Sequence, residues 1–196
     1  MSKPLSLAVV GHTNTGKTSL LRTLLRDSTF GEVKNAPATT RHVEQGAINE
    51  GSETLVLLYD TPGLEDAGGV LDWLENHTSS RQDGIERLQE FLDSAEAEGD
   101  FNQEAKVLRQ LLQSDMALYI VDAREPVLNK YKDELTILSW CAKPIMPVFN
   151  FTKSQDLSEW VTMFTRRSLH IYSGFDTVAF DFEGVIRLGV CLATMF

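Results

Sequence analysis

The chain is short of cysteine, of positive charge and of long apolar runs. It has two cysteines in 196 residues. Cys141 and Cys191 sit in apolar surroundings without metal-ligand spacing. That excludes a disulfide-rich scaffold or a zinc module and reads as two reduced core thiols in a reducing, cytoplasmic compartment. No apolar run reaches the ~20 residues needed to cross a bilayer. Met1-Ser2-Lys3-Pro4 leads straight into a short apolar segment with no secretory leader pattern. Lys and Arg total 18 against 28 Asp and Glu, a net charge of −10, which argues against a nucleic-acid-coating surface. No internal repeat, low-complexity segment or linker interrupts the chain. Hydrophobic residues make up 42% and charged residues 23%, an ordinary globular balance at a length that supports one domain with a real core.

The most informative run is Gly11-His12-Thr13-Asn14-Thr15-Gly16-Lys17-Thr18, a complete G-x-x-x-x-G-K-[ST] phosphate-binding loop. Its context suits it. Leu5-Ser6-Leu7-Ala8-Val9-Val10 before it is strand-like, and Ser19 to Arg26 after it has helical spacing. The glycines let the backbone wrap closely around phosphate oxygens. The helix N-terminus adds partial positive charge. Lys17 supplies a cation for the β- and γ-phosphates and Thr18 a hydroxyl for Mg²⁺. The candidate loop set is therefore Gly11, His12, Thr13, Asn14, Thr15, Gly16, Lys17, Thr18 and Ser19. His12 reads as a variable position facing outward.

Strand-like runs alternate with helical patterns, which predicts an α/β fold with a mostly parallel sheet. Asp27 to Pro37 is polar and reads as a mobile loop. His42 to Ile48 and Glu53 to Tyr59 read as an antiparallel hairpin about Gly51-Ser52. Met116 to Val121 and Lys143 to Asn150 are further strands. Pro147 in the latter suggests an irregular ladder. Helices are expected over 129–142, 154–167 and 183–196, with a last split strand within 169–180. The stretch from Leu64 to Ser114 is longer than one crossover needs. It holds a short helix near Val70 to Leu74, a helix from Gly84 with Ile85, Leu88, Phe91, Leu92 and Ala95 on one face, and a helix capped by Asp100 or Asn102. The surplus around residues 67–83 is expected to move, carrying Trp73 with it.

Two further elements belong with the loop. Asp60 ends an apolar strand in Asp60-Thr61-Pro62-Gly63, as a second Mg²⁺ carboxylate should, and Gly63 lets a backbone N–H approach a γ-phosphate. Thr39-Thr40-Arg41 lies in the polar loop, where a threonine hydroxyl can reach Mg²⁺ and be released after hydrolysis.

This order of motifs resembles bacterial GTPases of the Era/TrmE/Der branch, and more narrowly a family that joins such a domain to a C-terminal domain of unknown function (DUF3482). The resemblance implies a Ras-like P-loop fold with six strands in the order 2-3-1-4-5-6, one of them an antiparallel edge strand. It implies one GTPase domain over 1–196 with a helical insertion at about 64–114, ahead of a missing C-terminal domain that would supply any membrane contact. The apolar ending Val190 to Phe196 is consistent with that. GTP or GDP and Mg²⁺ are the implied ligands. Thr18, Thr40 and Asp60 are the implied Mg²⁺ ligands, and Lys17, Thr40 and Gly63 the catalytic set. Asn14 is the implied K⁺ ligand, and Asn150 and Phe151 stand at the base. An effector protein, or a homodimer through the switch regions, is the implied partner.

The chain departs from the family at two places. The guanine-reading run Asn-Lys-x-Asp is here Asn150-Phe151-Thr152-Lys153, and Lys153 offers no acceptor for guanine N1 and N2. Asp156 can substitute if the loop bends, and Phe151 can stack on the base. Residues 176–180 occupy the approximate place of the Ser-Ala-Lys motif. Leu64 follows Gly63 where Ras-like enzymes carry a water-orienting glutamine, so slow intrinsic hydrolysis is expected, raised by K⁺, dimerisation or a partner. An ATPase or unselective NTPase, and a binding module with negligible turnover, are the competing readings.

Overall fold

A computed structural model describes residues 3–31 and 42–175. Thr39, Thr40 and Arg41, the run 176–180, Cys191 and the expected closing helix lie outside the described residues. One sheet organises the rest. Its six strands run in the order β2-β3-β1-β4-β5-β6. They are β1 (Leu5–Val10), β2 (Glu44–Glu50), β3 (Glu53–Asp60), β4 (Met116–Asp122), β5 (Ile145–Asn150) and β6 (Ser173–Gly174). Every ladder is parallel except β2 on β3, the hairpin about Gly51. β4 is buried at all seven positions, which suits a central strand covered on both faces.

Helices α1 (Lys17–Leu25), α2 (Ala67–His77), α3 (Gly84–Leu92), α4 (Asn102–Gln113), α5 (Asn129–Ser139) and α6 (Ser158–Thr165) cover the sheet. One face meets α1, with Leu7, Val9, Leu20, Leu21, Leu118 and Ile120 interleaved. The other face carries the larger cluster, built from α2 to α6 around Ala8, Val10, Tyr119 and Phe149.

Several local expectations are corrected. The segment near 70–74 forms the whole of α2, with Ala67, Val70 and Leu74 buried; these apolar side chains make it part of the core and leave no unstructured surplus. On α3 the buried set is Leu88, Phe91 and Leu92, while Ile85 is 47% exposed. Ala95 lies past the helix end and is exposed, and Ala97 is the residue that turns inward. Neither Asp100 nor Asn102 caps α4. Phe101 holds the cap position without a side-chain hydrogen bond, its ring packed toward Phe91. Pro147 does not disturb its ladder on the β4 side, where residues 145–150 pair in unbroken register. On the other side β6 begins only beside Val148, so pairing there starts past the proline.

Candidate functional site

β1 runs into the loop at the carboxyl edge of the sheet, and α1 starts at the loop's end. The backbone takes left-handed or open conformations where the sequence offers glycine or asparagine: Gly11 φ 139°, Asn14 φ 64° and Gly16 φ 93°. A Cβ on Gly11 would meet the Ile120 carbonyl oxygen at 2.5 Å, so only glycine lets the loop leave β1 beside β4. Gly16 holds the cap position of α1 with no side-chain cap. The N–H groups of the first turn are thereby left for an anion.

Lys17 is 7% exposed. Its ammonium donates to the carbonyls of His12 at 2.6 Å and Gly11 at 3.1 Å. Burial pulls its pKa down to about 8, opposed by the carboxylates of Asp60, Glu134 and Glu65. Thr18 donates its hydroxyl to the Asp60 carboxylate at 2.6 Å. A hydroxyl and a carboxylate in contact form the hard-oxygen donor pair that Mg²⁺ takes, so these residues fit the metal. Asp60 is fully buried at the end of β3, which pairs with β1 through Val9.

Gly63 lies against the loop. A Cβ there would come within 2.7 Å of Thr13 Cα and 2.8 Å of its backbone nitrogen. The Leu64 N–H donates to the Gly11 carbonyl at 3.1 Å, and its side chain is fully buried in the large cluster. The position where a water-orienting glutamine would stand therefore faces the core. Glu65, exposed, accepts from the Thr13 hydroxyl at 2.8 Å.

His12 does not face outward. Its Nδ1 lies 2.8 Å from Oε1 of Glu134, whose side chain is fully buried, and its ring meets Tyr131 edge-on. Tyr119 donates to the other Glu134 oxygen at 2.7 Å. Burial and Glu134 push the Tyr119 phenol well above its ordinary value, so it stays the donor. A buried carboxylate needs such partners, and the imidazole supplies one.

At the other end of the site Asn150, buried at the end of β5, donates from Nδ2 to the Thr15 carbonyl at 2.9 Å and accepts from the Phe151 N–H at 2.9 Å. This joins the β5 end to the phosphate loop. Phe151 follows at φ 57°, with the Arg124 guanidinium 3.9 Å from its ring centroid. Arg124 forks onto Asp122 at 2.9 and 2.7 Å. Burial would raise the Asp122 carboxyl, but this fork outweighs it and holds the group below its usual range. Asp156 does not turn toward the base end by any hydrogen bond shown; it accepts from the Ser158 N–H at 2.9 Å, at the start of α6. Asn14 and Ser19 are exposed on the loop.

Glu134 and Glu104 are the residues the sequence reading missed. Both were legible as glutamates on an apolar stripe. Glu134 lies between Tyr131 and Leu138, and Glu104 precedes Leu108 and Leu111 at helical spacing.

The fold and the loop define a P-loop GTPase domain. The family described as 50S ribosome-binding GTPase matches residues 6–151, and the chain belongs to it. Among curated proteins it is similar to the tRNA modification GTPase MnmE of Mycoplasmoides gallisepticum, 28% identical over 133 residues, covering 68% of this chain and 22% of the relative. It is also similar to GTPase Der of Chlamydia trachomatis serovar L2, 24% identical over 170 residues, covering 87% of this chain and 28% of the relative. The chain thus spans less than a third of the length of these relatives. Among solved structures it is similar to Era in complex with MgGDPNP and a 16S ribosomal RNA segment, with TM-score 0.67, 17% identity and coverage of 98% of this chain and 57% of that one. The G domain of the T. maritima FeoB iron transporter follows the fold with TM-score 0.58, 18% identity and 98% coverage of both chains. Membership implies a guanine nucleotide and Mg²⁺ as ligands. No helix among the described residues is long and apolar enough to cross a membrane.

Proposed function

We propose that the chain binds GTP with Mg²⁺, hydrolyses it slowly, and works as a nucleotide-controlled switch. The observation that carries this reading is the phosphate end: a buried Lys17 ammonium, uncapped helix amides, and Thr18 in contact with Asp60 at 2.6 Å. Lys17 neutralises the β- and γ-phosphates. Thr18 and Asp60 hold Mg²⁺, which supplies charge to the same oxygens, and Thr40 is the proposed third ligand. Gly63 offers its N–H to the γ-phosphate. Asn14 is the proposed K⁺ ligand. Slow turnover follows from Leu64, whose side chain points into the core and leaves no amide to orient water.

At the base end Asn150 braces the loop and Phe151 provides a face for stacking. With Lys153 in place of an aspartate, nothing there accepts from guanine N1 and N2. An unselective NTPase is therefore the second reading, carried by that one position. The relatives' names speak of tRNA modification, and the Era structure contains ribosomal RNA; for this domain a net charge of −10 favours a protein effector or a second copy at the switch regions over direct RNA contact.

Calorimetry with GTP, GDP and ATP, in K⁺ and in Na⁺, tests the proposal. Guanine nucleotides are expected to bind more tightly than ATP, and single-turnover hydrolysis to be faster in K⁺. Equal affinity for GTP and ATP would establish the unselective reading. Brisk turnover in Na⁺ without a partner would remove the slow switch.

A further inference from the structure

The carboxylate of Glu104 is out of place by ordinary standards. It sits in the first turn of α4, where an acid favours the helix dipole, yet it is 3% exposed. Burying a carboxylate is costly unless its oxygens are satisfied, and a leucine on that stripe would pack without the cost. Its donors are main-chain groups of another segment. Oε1 accepts from the N–H of Glu65 and from the N–H of Asp66, each at 3.0 Å.

Those two amides follow directly on Gly63 and Leu64. The segment is held from the phosphate loop by Leu64 N–H on the Gly11 carbonyl and by the Thr13 hydroxyl on Glu65. Glu104 holds it from the opposite side. Asp66 then caps α2, accepting from Gly69 N–H at 2.8 Å, so the backbone between Gly63 and α2 has its path set by one side chain of α4.

We propose that Glu104 is a positioning residue for the γ-phosphate-sensing segment: its two hydrogen bonds keep Gly63 docked at Thr13, and through them α4 is coupled to the nucleotide's third phosphate. The inference rests on the GTP reading above. It sets a distinction a merely structural role would not set. The α- and β-phosphates meet the loop amides and Lys17 whatever Glu104 does. Only a terminal phosphate needs the Gly63 N–H in place.

The test compares the affinities of GDP and a non-hydrolysable GTP analogue for wild type, Glu104→Leu and Glu104→Gln. Leucine fills the site but accepts nothing; glutamine keeps an acceptor oxygen for both amides. Glu104→Leu is expected to weaken the analogue about tenfold while GDP stays within about twofold, the scale of losing hydrogen bonds to a charged acceptor. Glu104→Gln is expected to keep the wild-type ratio. Equal weakening of both nucleotides by leucine, or a glutamine variant that behaves like leucine, would overturn the proposal. If Glu104→Leu does not fold, amide hydrogen exchange at Glu65 and Asp66 in wild type decides. Slower exchange with the analogue than with GDP supports the coupling, and equal exchange refutes it. A wild type that binds neither nucleotide would remove the GTP reading and this inference with it; wild type that binds both, with an unchanged ratio in the leucine variant, would remove this inference alone.

Discussion

The two ends of the site follow different rules. At the phosphate end, Gly11, Gly16, Lys17, Thr18, Asp60 and Gly63 keep the family pattern, and the structure brings them together with buried, short contacts. At the base end only Asn150 keeps it. Phe151 stands where a lysine is usual, covered by Arg124, and Lys153 stands where an aspartate is usual. The phosphate grip is made largely of main-chain amides and one ammonium, so few substitutions are tolerated. Base recognition depends on side chains at the tip of a loop, where the chain can vary without disturbing the sheet. Asn150 survives because its task is mechanical: it ties β5 to the Thr15 carbonyl.

That contrast can be broken most severely at Lys17. Lys17→Ala should weaken every nucleoside triphosphate by at least about a hundredfold, the scale of losing charge-assisted hydrogen bonds. Calorimetry with GTP and ATP measures it, and a wild-type affinity for either would undo the assignment of the phosphate end. The same residue makes that end sensitive to pH. With its pKa lowered to about 8 by burial, the amine of the empty protein loses its proton as pH rises through that value. Association should fall about tenfold between pH 7 and 9, following the protonated fraction. The neutral form is the one burial favours, so between pH 8 and the unfolded value of 10.5 the lysine's contribution to fold stability rises while binding declines. A flat profile over pH 7–9 would contradict the buried ammonium.

The base end should respond more mildly and without regard to the letter of the base. Phe151→Ala is expected to weaken GDP and ADP alike, by about five- to tenfold, as loss of one stacking face does. A loss confined to GDP would mean that Phe151 reads guanine rather than purines in general. Asp156→Ala should be the smallest effect. Its carboxyl is held below its usual range by the N–H and hydroxyl of Ser158, a local turn at the start of α6. Nucleotide preference should shift by less than about twofold, the size of a surface effect, and a larger change would return Asp156 to base recognition.

Much of the phosphate end was legible in the chain because its chemistry is local. A strand, a glycine-rich turn and a lysine on the next helix are contiguous, and alternation of apolar runs with helical spacing led to the sheet order. The switch residue Thr40 belongs to the same pattern and lies outside the described residues. Other readings failed where a side chain's direction depends on what lies across from it. His12 was expected outward because polar loop residues usually are; Glu134, 122 positions away, turns it inward. Ile85 and Ala95 matched a helical stripe, yet α3 rolls so that Leu88, Phe91 and Leu92 meet the core, and Ala97 takes the next buried place.

Sequence alone determined that a triphosphate tail could be gripped, because adjacent residues supply both the amide cradle and the cation. Tertiary structure decided what holds that grip in shape. Glu134 under the loop and Glu104 behind Gly63 come from helices remote in the chain, and a buried carboxylate's role follows from the donors that reach it, which only the folded packing of α4 and α5 supplies.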